Sequence, residues 1–348
     1  MDNFPTHELT TISDVAKRSG VSIATVSRVI NKKARVNAET AARVQQAIDE
    51  LDYIPQAAAR NLAIRKTNTI GLLLPGVGTD FFFPILRGIE AAVRQAGFNL
   101  LIAIQPEETD KLPTKASSTL GNHNTDGLLV FGSLAGDDML ARFTQKNFPV
   151  VLLYHSAPEG SGITSIMIEN RNGTRKIVEH LIKVHGHKRI GFLRGPKGHQ
   201  DSTWREKGYY QALTEHGLEH DPRLVASGEF SEKGGQAAVE AWLKGGIKMD
   251  AIFAGDDETA IGVITGLNTM GLHVPKDIAV VGFDDILAAR YLNPPLTTVR
   301  APTEQVGFEA VRQLVRRIRG EQADLVILLP TELVIRQSCG CNRGEILR

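Results

Sequence analysis

The chain has 348 residues, 42% of them hydrophobic, and its 40 Lys and Arg nearly cancel 39 Asp and Glu to leave a net charge of +1. That length accommodates a small head beside a body of two lobes. No apolar run approaches membrane-spanning length, and the opening MDNFPTHELTT lacks the basic and apolar stretch of a secretory signal, so the expected location is the cytoplasm, with no membrane partner.

The first predicted helix runs from Ile12 to Ser19, with Thr11 as its cap and Asp14 completing a capping box. Gly20 stands where a left-handed residue ends a helix. Ser22 then caps a second helix, Ile23 to Ile30, and Asn37 caps a third, Ala38 to Leu51. Val15, Ala16, Val26, Val29 and Ile30 face inward, and Ala41, Val44, Ala47, Ile48 and Leu51 form the third helix's apolar stripe. Two short helices joined at a Gly turn have the geometry that places one helix in a DNA major groove. The exposed start of the second helix would carry Ile23, Ala24, Thr25, Ser27 and Arg28. Small and apolar side chains can approach base edges and thymine methyls, and Arg28 can pair with guanine or phosphate. Residues 10–66 hold ten Lys and Arg against five acids, a local excess of +5 on a near-neutral chain, as phosphate binding requires. Caps, a Gly turn and basic residues also occur in small helical bundles that bind no DNA.

Residues 56–63, QAAARNLA, follow Pro55 and have high helix propensity. Eight residues are too few to hold a helix alone in water, so the segment reads either as a plain linker or as a helix that orders only against other surfaces.

From Thr69 onward apolar strands alternate with helical patterns. Candidate strands are Ile70–Pro75, Asn99–Ile104, Gly127–Phe131, Val150–Tyr154, Ile190–Arg194, Ala251–Ala254 and Ile278–Gly282. Helical patterns at Pro84–Gln95, Gly173–Val184, Arg205–Glu215 and Thr259–Met270 lie between them, which argues for parallel sheets covered on both faces. Glu107–Thr125 contains Pro113 and Gly121 and is expected to be short, irregular or mobile.

Parallel sheets bind ligands at the carboxyl ends of their strands. Polar residues gather there: Asp256 and Asp257 after one strand, Asp284 and Asp285 after another, Tyr154 and His155 after a third. Arg205 opens a helix, as do Phe81 and Phe82. Carboxylates and an arginine fork can each hold adjacent hydroxyls, and aromatic faces suit a sugar ring or a purine. Asp257 and Asp285 are expected to cap helices beside the ligand. Cys339-Gly340-Cys341 presents two thiols without a second ligand pair and reads as an unpaired tail. His185 and His187 are assigned a capping and surface role. No metal site, cofactor, nucleophile–base motif or phosphate loop is expected.

The string DVAKRSGVSIATVSRVIN, followed by LDYIPQAAARNLA, closely resembles the head of the LacI/GalR family of bacterial transcription regulators. Further matches run in order through the chain: TIGLLLP, FFFPILRGIEAA, TDGLLVFG, REKGYYQAL, DAIFAGDDETAIG, IAVVGFDD and PPLTTVRAP. The resemblance implies a helix-turn-helix head at 1–55, a hinge helix and linker at 56–68, and an α/β body like periplasmic binding proteins at 69–341, with a tail at 342–348. Lobe one would take about 69–167 and 299–329, and lobe two about 168–298 and 330–341. It makes Ile23 and Ala24 the main readers of operator sequence, with Ser27, Arg28 and Asn31 beside them. Thr11, Ser13, Asn37 and Thr40 match phosphate-contacting positions. Gln56, Ala59 and Leu62 fall on the hinge helix, Leu62 as the wedge into the minor groove. Phe81, Phe82, Tyr154, Arg205, Phe230, Asp256 and Asp284 fall on effector-contacting positions. The chain departs from the family at Thr79-Asp80, Tyr154 and Asp256-Asp257, so the resemblance names no particular effector.

The expected function is therefore a homodimeric repressor that binds a near-palindromic double-stranded operator under control of a sugar or related polyol, and not an enzyme. A solute-binding protein, or a sugar- or nucleotide-processing enzyme using Asp256 or Asp284, could occupy the same two-lobed body.

Overall fold

The computed structural model describes residues 10–31, 36–53, 66–105, 120–134 and 136–342. Contacts divide the chain after Thr67 into two units. In the first, Asp14 accepts hydrogen bonds from both the N–H and the hydroxyl of Thr11, at 2.9 and 2.7 Å, and so fixes the start of α1 (Ile12–Ser19). Gly20 ends it at φ +68°, a conformation that a side chain would strain. Ser22 Oγ accepts from the N–H of Thr25 at 3.2 Å and starts α2 (Ile23–Asn31). Asn37 caps α3 (Ala38–Glu50) through the N–H of Glu39. Val15, Ala16, Val26, Val44 and Ala47 form the core of this small unit. Tyr53, which the stripe pattern does not include, turns back onto it with its N–H on the carbonyl of Ile48.

The second unit begins with β1 (Thr69–Leu74), α4 (Phe82–Ala96), β2 (Asn99–Ile104), β3 (Gly127–Phe131), α5 (Asp137–Gln145), β4 (Val150–Leu153) and β5 (Thr164–Ile168). It continues with α6 (Asn170–Lys183), β6 (Ile190–Arg194), α7 (Gln200–Glu215), β7 (Val225–Ser227), α8 (Glu232–Lys244), β8 (Ala251–Ala254), α9 (Asp257–Thr269) and β9 (Ala279–Val281). It closes with β10 (Thr298–Arg300), α10 (Thr303–Ile318), β11 (Val326–Leu329) and β12 (Glu332–Val334).

One lobe holds a six-stranded parallel sheet in the order β11-β5-β4-β3-β1-β2, and the other a four-stranded parallel sheet in the order β7-β6-β8-β9. The chain leaves the first lobe after β5 and returns late, so β11 pairs with β5 across more than 150 residues of sequence. A short antiparallel pair, β10 and β12, joins the crossing strands. All seven anticipated strands are present. The additional strands β5, β7 and β10 to β12 are only three to five residues long, too short to declare a period. Both edge strands of the six-stranded sheet depart from the expected burial: Leu101, Ile102 and Ile104 of β2 and Val326 and Leu328 of β11 are exposed. Of the stretch Glu107–Thr125, residues up to 119 lie outside the described residues, and the remainder is a turn in which Thr125 bonds back to the carbonyl of Gly121.

The segment after β12 is packed, not an unpaired tail. Ser338 exchanges hydrogen bonds with Val280 of β9, and Cys339 and Cys341 are both buried. Partners such as Val280 and Thr297 lie 41 to 58 residues away in sequence, which hides this from a reading of local pattern.

Candidate functional site

In the first unit, the packing of α1, α2 and α3 turns Val26 inward and leaves the start of α2 outward. Ile23 is 50% exposed, and Ala24 and Arg28 are exposed beside it, with Thr25 and Ser27 half-buried. An isoleucine left bare on a helix whose neighbours bury their apolar groups is available for contact with a partner. Thr11, Ser13 and Asn37 are exposed at the N-terminal ends of α1 and α3, and Thr40 is half-buried on the first turn of α3. Helix N-termini carry partial positive charge and bare N–H groups, which suits phosphate. Asn31 closes α2. Gln56, Ala59 and Leu62 lie outside the described residues.

In the second unit, the carboxyl ends of the two parallel sheets face one cleft of about 250 Å³. This falls just below the ~300 Å³ at which drug-sized pockets begin, and so suits one small ligand. Phe81, Phe82, Tyr154, Arg205, Phe230, Asp256 and Asp284 all line it. Thr79 joins them, with Asp201, Glu229 and Glu258, which sequence reasoning did not single out. Asp201 sits four residues before Arg205 on α7, so a one-turn helical spacing was the available signal.

Arg205 is 3% exposed and anchors the second lobe's side. Its Nε donates to Asn170 Oδ1 at 2.8 Å, one Nη to the carbonyl of Gly255 at 2.5 Å, and the other to Asp284 Oδ1 at 3.1 Å. Asn170 in turn donates to Asp201 at 2.8 Å. The guanidinium lies 3.8 Å over the ring of Phe283. Phe81, Phe82, Phe131 and Tyr154 form an aromatic wall on the other side, with neighbouring ring centroids 5.2–5.5 Å apart. The buried hydroxyl of Tyr154 makes no hydrogen bond among the described residues. Of eight non-glycine residues at positive φ among those described, Tyr154, Glu229, Phe230 and Asp284 line this cleft. Backbone strain of that kind concentrates where geometry serves a ligand.

The acids here are not ordinary. Burial pushes Asp201 up to about 7 despite the opposing charge of Arg205. Burial and the neighbouring Asp284 push Asp256 to about 7 as well. Asp284 is raised by burial, against the pull of Arg205. Near neutral pH such groups can offer O–H donors as well as acceptors.

Two expectations need correction. Asp256, not Asp257, caps α9, accepting the N–H of Thr259 at 3.1 Å. Asp257 is fully buried and accepts from the Ile286 N–H and the Thr298 hydroxyl, tying the segments after β9 to α9. Asp285 caps no helix either. Its buried carboxylate pairs with Arg300 at 2.8 Å and Arg336 at 2.5 Å. Both acids hold the chain crossings together, contacts between residues 15–51 apart that no local pattern reveals.

Comparison with known proteins agrees with this layout. Residues 11–56 match the lacI family of bacterial regulatory proteins, and residues 178–339 match a periplasmic binding protein-like domain. Catabolite control protein A of Priestia megaterium is 34% identical, over 94% of this chain and 98% of that protein. The solved lac repressor dimer bound to operator and the anti-inducer ONPF aligns with a TM-score of 0.81 at 29% identity, covering 95% of this chain and 99% of that one. The complex of the transcriptional regulator CelR with cellobiose aligns with a TM-score of 0.69 at 32% identity, over 94% and 99% of the two chains.

Proposed function

The chain belongs to the LacI family of bacterial regulatory proteins, and from that premise we propose that it is a sequence-specific repressor, dimeric on its operator, switched by a neutral polyhydroxyl effector in the cleft. The observation that carries the effector class is the cleft's charge. One arginine faces Asp201, Asp256, Asp284, Glu229 and Glu258, and that arginine is already bonded to Asn170, Gly255 and Asp284. An anionic ligand would find little spare cationic charge, and it would meet repulsion wherever these acids are ionised. Hydroxyl groups would find acceptors in those carboxyls, a partner in the Tyr154 hydroxyl, and an apolar wall for a ring face. The lac repressor dimer on its operator and the CelR–cellobiose complex supply the analogy for dimeric DNA binding and for a sugar as effector.

In this reading Ile23 and Ala24 meet base edges, Arg28 supplies polar contact, and Thr11, Ser13, Asn37 and Thr40 hold phosphates. Leu62 acts as a minor-groove wedge. The effector binds between lobes and changes DNA affinity only by its preference for one lobe arrangement over another. Linkage then requires DNA to change effector affinity by the same factor. The described residues include no helix long and apolar enough to cross a membrane.

The test selects duplexes from a random pool with the full-length protein, then measures their affinity by fluorescence anisotropy while neutral sugars and their phosphate esters are added. The expected result is a near-palindromic duplex whose affinity shifts at least about tenfold with a neutral sugar, a coupling near 1.4 kcal/mol. Failure to enrich any duplex would overturn the repressor reading. Chemical turnover of the bound sugar with no effect on DNA would favour the enzyme.

A further inference from the structure

The second unit holds a cluster of ligand-forming side chains well away in sequence from the cleft residues. His180 stands in the last turn of α6, and His185 follows the end of that helix. Cys339 and Cys341 come from the buried segment after β12. The four ligand atoms lie within 4.8 Å of one another. The two His Nε2 atoms are 3.3 Å apart, and Cys341 Sγ stands 3.6 Å from that of His180 and 3.4 Å from that of His185.

Three of the six edges of this four-atom cluster can be set against a metal site, and the same three distances also suit hydrogen bonds. A tetrahedral zinc with Zn–N near 2.05 Å and Zn–S near 2.3 Å has ligand–ligand edges of about 3.3 Å for N–N and about 3.5 Å for N–S. The three measured edges fall within about 0.1 Å of these. Imidazoles with thiolates are also the donor set that favours zinc over hard cations. We propose that His180, His185, Cys339 and Cys341 form a structural zinc site that clips the segment after β12 to the end of α6.

The surroundings are built for it. Gly340, at φ +106°, lets the chain turn between the two cysteines, and a Cβ there would come within 3.3 Å of the His185 ring. Thr297 Oγ1 donates to Cys339 Sγ at 3.1 Å, the kind of outer hydrogen bond that orients a thiolate ligand. The Cys339 and Cys341 thiols each release a proton on binding, so two thiolates and two neutral imidazoles leave the zinc complex uncharged, as a buried position demands. The site also holds one end of a helix whose first residue, Asn170, bonds both Arg205 and Asp201. Zinc would therefore brace the helix that positions the cleft.

The experiment uses the full chain, purified without a polyhistidine tag and under reductant, stripped of metal and titrated with cobalt as a spectroscopic stand-in for zinc. One cobalt per protomer is expected, with tetrahedral ligand-field bands and a thiolate charge-transfer band, displaced by one equivalent of zinc. Cys341→Ser and His185→Ala should each weaken binding by more than the 10–100-fold typical of losing an outer-shell partner. In the unaltered protein, zinc should protect two thiols from a disulfide reagent and raise the melting temperature, which keeps the test decisive if a variant fails to fold. The proposal is overturned if no thiolate band develops, if Cys341→Ser binds cobalt as tightly as the parent, or if the anaerobically purified, denatured protein yields no reactive thiols.

Discussion

The face of α2 and the cleft of the second unit solve opposite problems. The α2 face keeps the groups proposed to meet DNA bare: Ile23 is half-exposed and Arg28 lies out in solvent. The cleft buries its charges: Arg205 is 3% exposed, Asp256 7% and Asp284 9%. A reader of DNA must leave its groups free to meet a partner that brings its own charge and counterions. A cleft that buries its charges must fix its polar groups beforehand, and each buried charge then depends on its neighbours. Substitutions on α2 should therefore change specificity with little effect on folding, whereas substitutions in the cleft should change both response and stability.

Arg205→Ala tests that contrast most severely. It removes the partner of buried Asp284 and the donor to Asn170 Oδ1 and to the carbonyl of Gly255. Unfolding in urea should show the body less stable by about 3–5 kcal/mol, and effector response should vanish while the first unit still binds DNA. A loss under 1 kcal/mol would break the claim that the cleft's charges are interdependent. Exchanging Ile23 and Ala24 for polar residues should change half-site preference by about 1–3 kcal/mol per base pair in a competition assay. The thermal midpoint should stay where it was, since both side chains are exposed and outside the small core.

A pH series sharpens the same point. In the folded protein Asp256 titrates at about 7, above its ordinary 3.8, because burial and Asp284 disfavour its charge. Between those values the folded state keeps a proton that the unfolded state has released. The group's effect on stability is therefore increasingly unfavourable as pH rises from about 4 to about 7. Asn keeps the cap on Thr259 but removes the titration. Asp256→Asn should match the parent at pH 4 and exceed its unfolding free energy at pH 8 by up to about 4 kcal/mol. Parallel stability curves for the two proteins would refute the raised titration.

These differences also explain what a reading of the chain could reach. The head is built from contacts within a few residues, such as Thr11 with Asp14, Ser22 with Thr25 and Asn37 with Glu39, so caps and periodicity reveal it. Tyr154, Asp256 and Asp284 were legible because they follow strands. Phe81 and Phe82 stand at the start of a helix and Arg205 within one, and these, like Phe230, rest on the match to a family pattern. Asp201 offered only its one-turn spacing from Arg205, and the crossing hub at Asp285 and the His180–Cys341 pairing were not legible. The last joins residues 161 apart, and nothing in the local sequence of either names the other. Asp256 and Asp257 were separable only in three dimensions, since adjacent acids look alike until one caps a helix and the other braces a crossing.

The smallest effect belongs to the turn between α1 and α2, and it tests whether recognition rests on local geometry. Gly20 adopts φ +68°, and a Cβ there would meet nothing within 4 Å. Gly20→Ala therefore introduces no clash, and its cost is the backbone conformation alone, about 1 kcal/mol. Because the core of Val15, Ala16, Val26, Val44 and Ala47 is small, that loss is a large share of what holds the three helices together. Calorimetry should resolve a lower midpoint for the first unit and an unchanged transition for the body. A drop in both would mean that the two units do not unfold independently. An unchanged first transition would mean that the turn can relax without moving α2, and the exposed start of that helix would then owe its position to something other than the Gly20 turn.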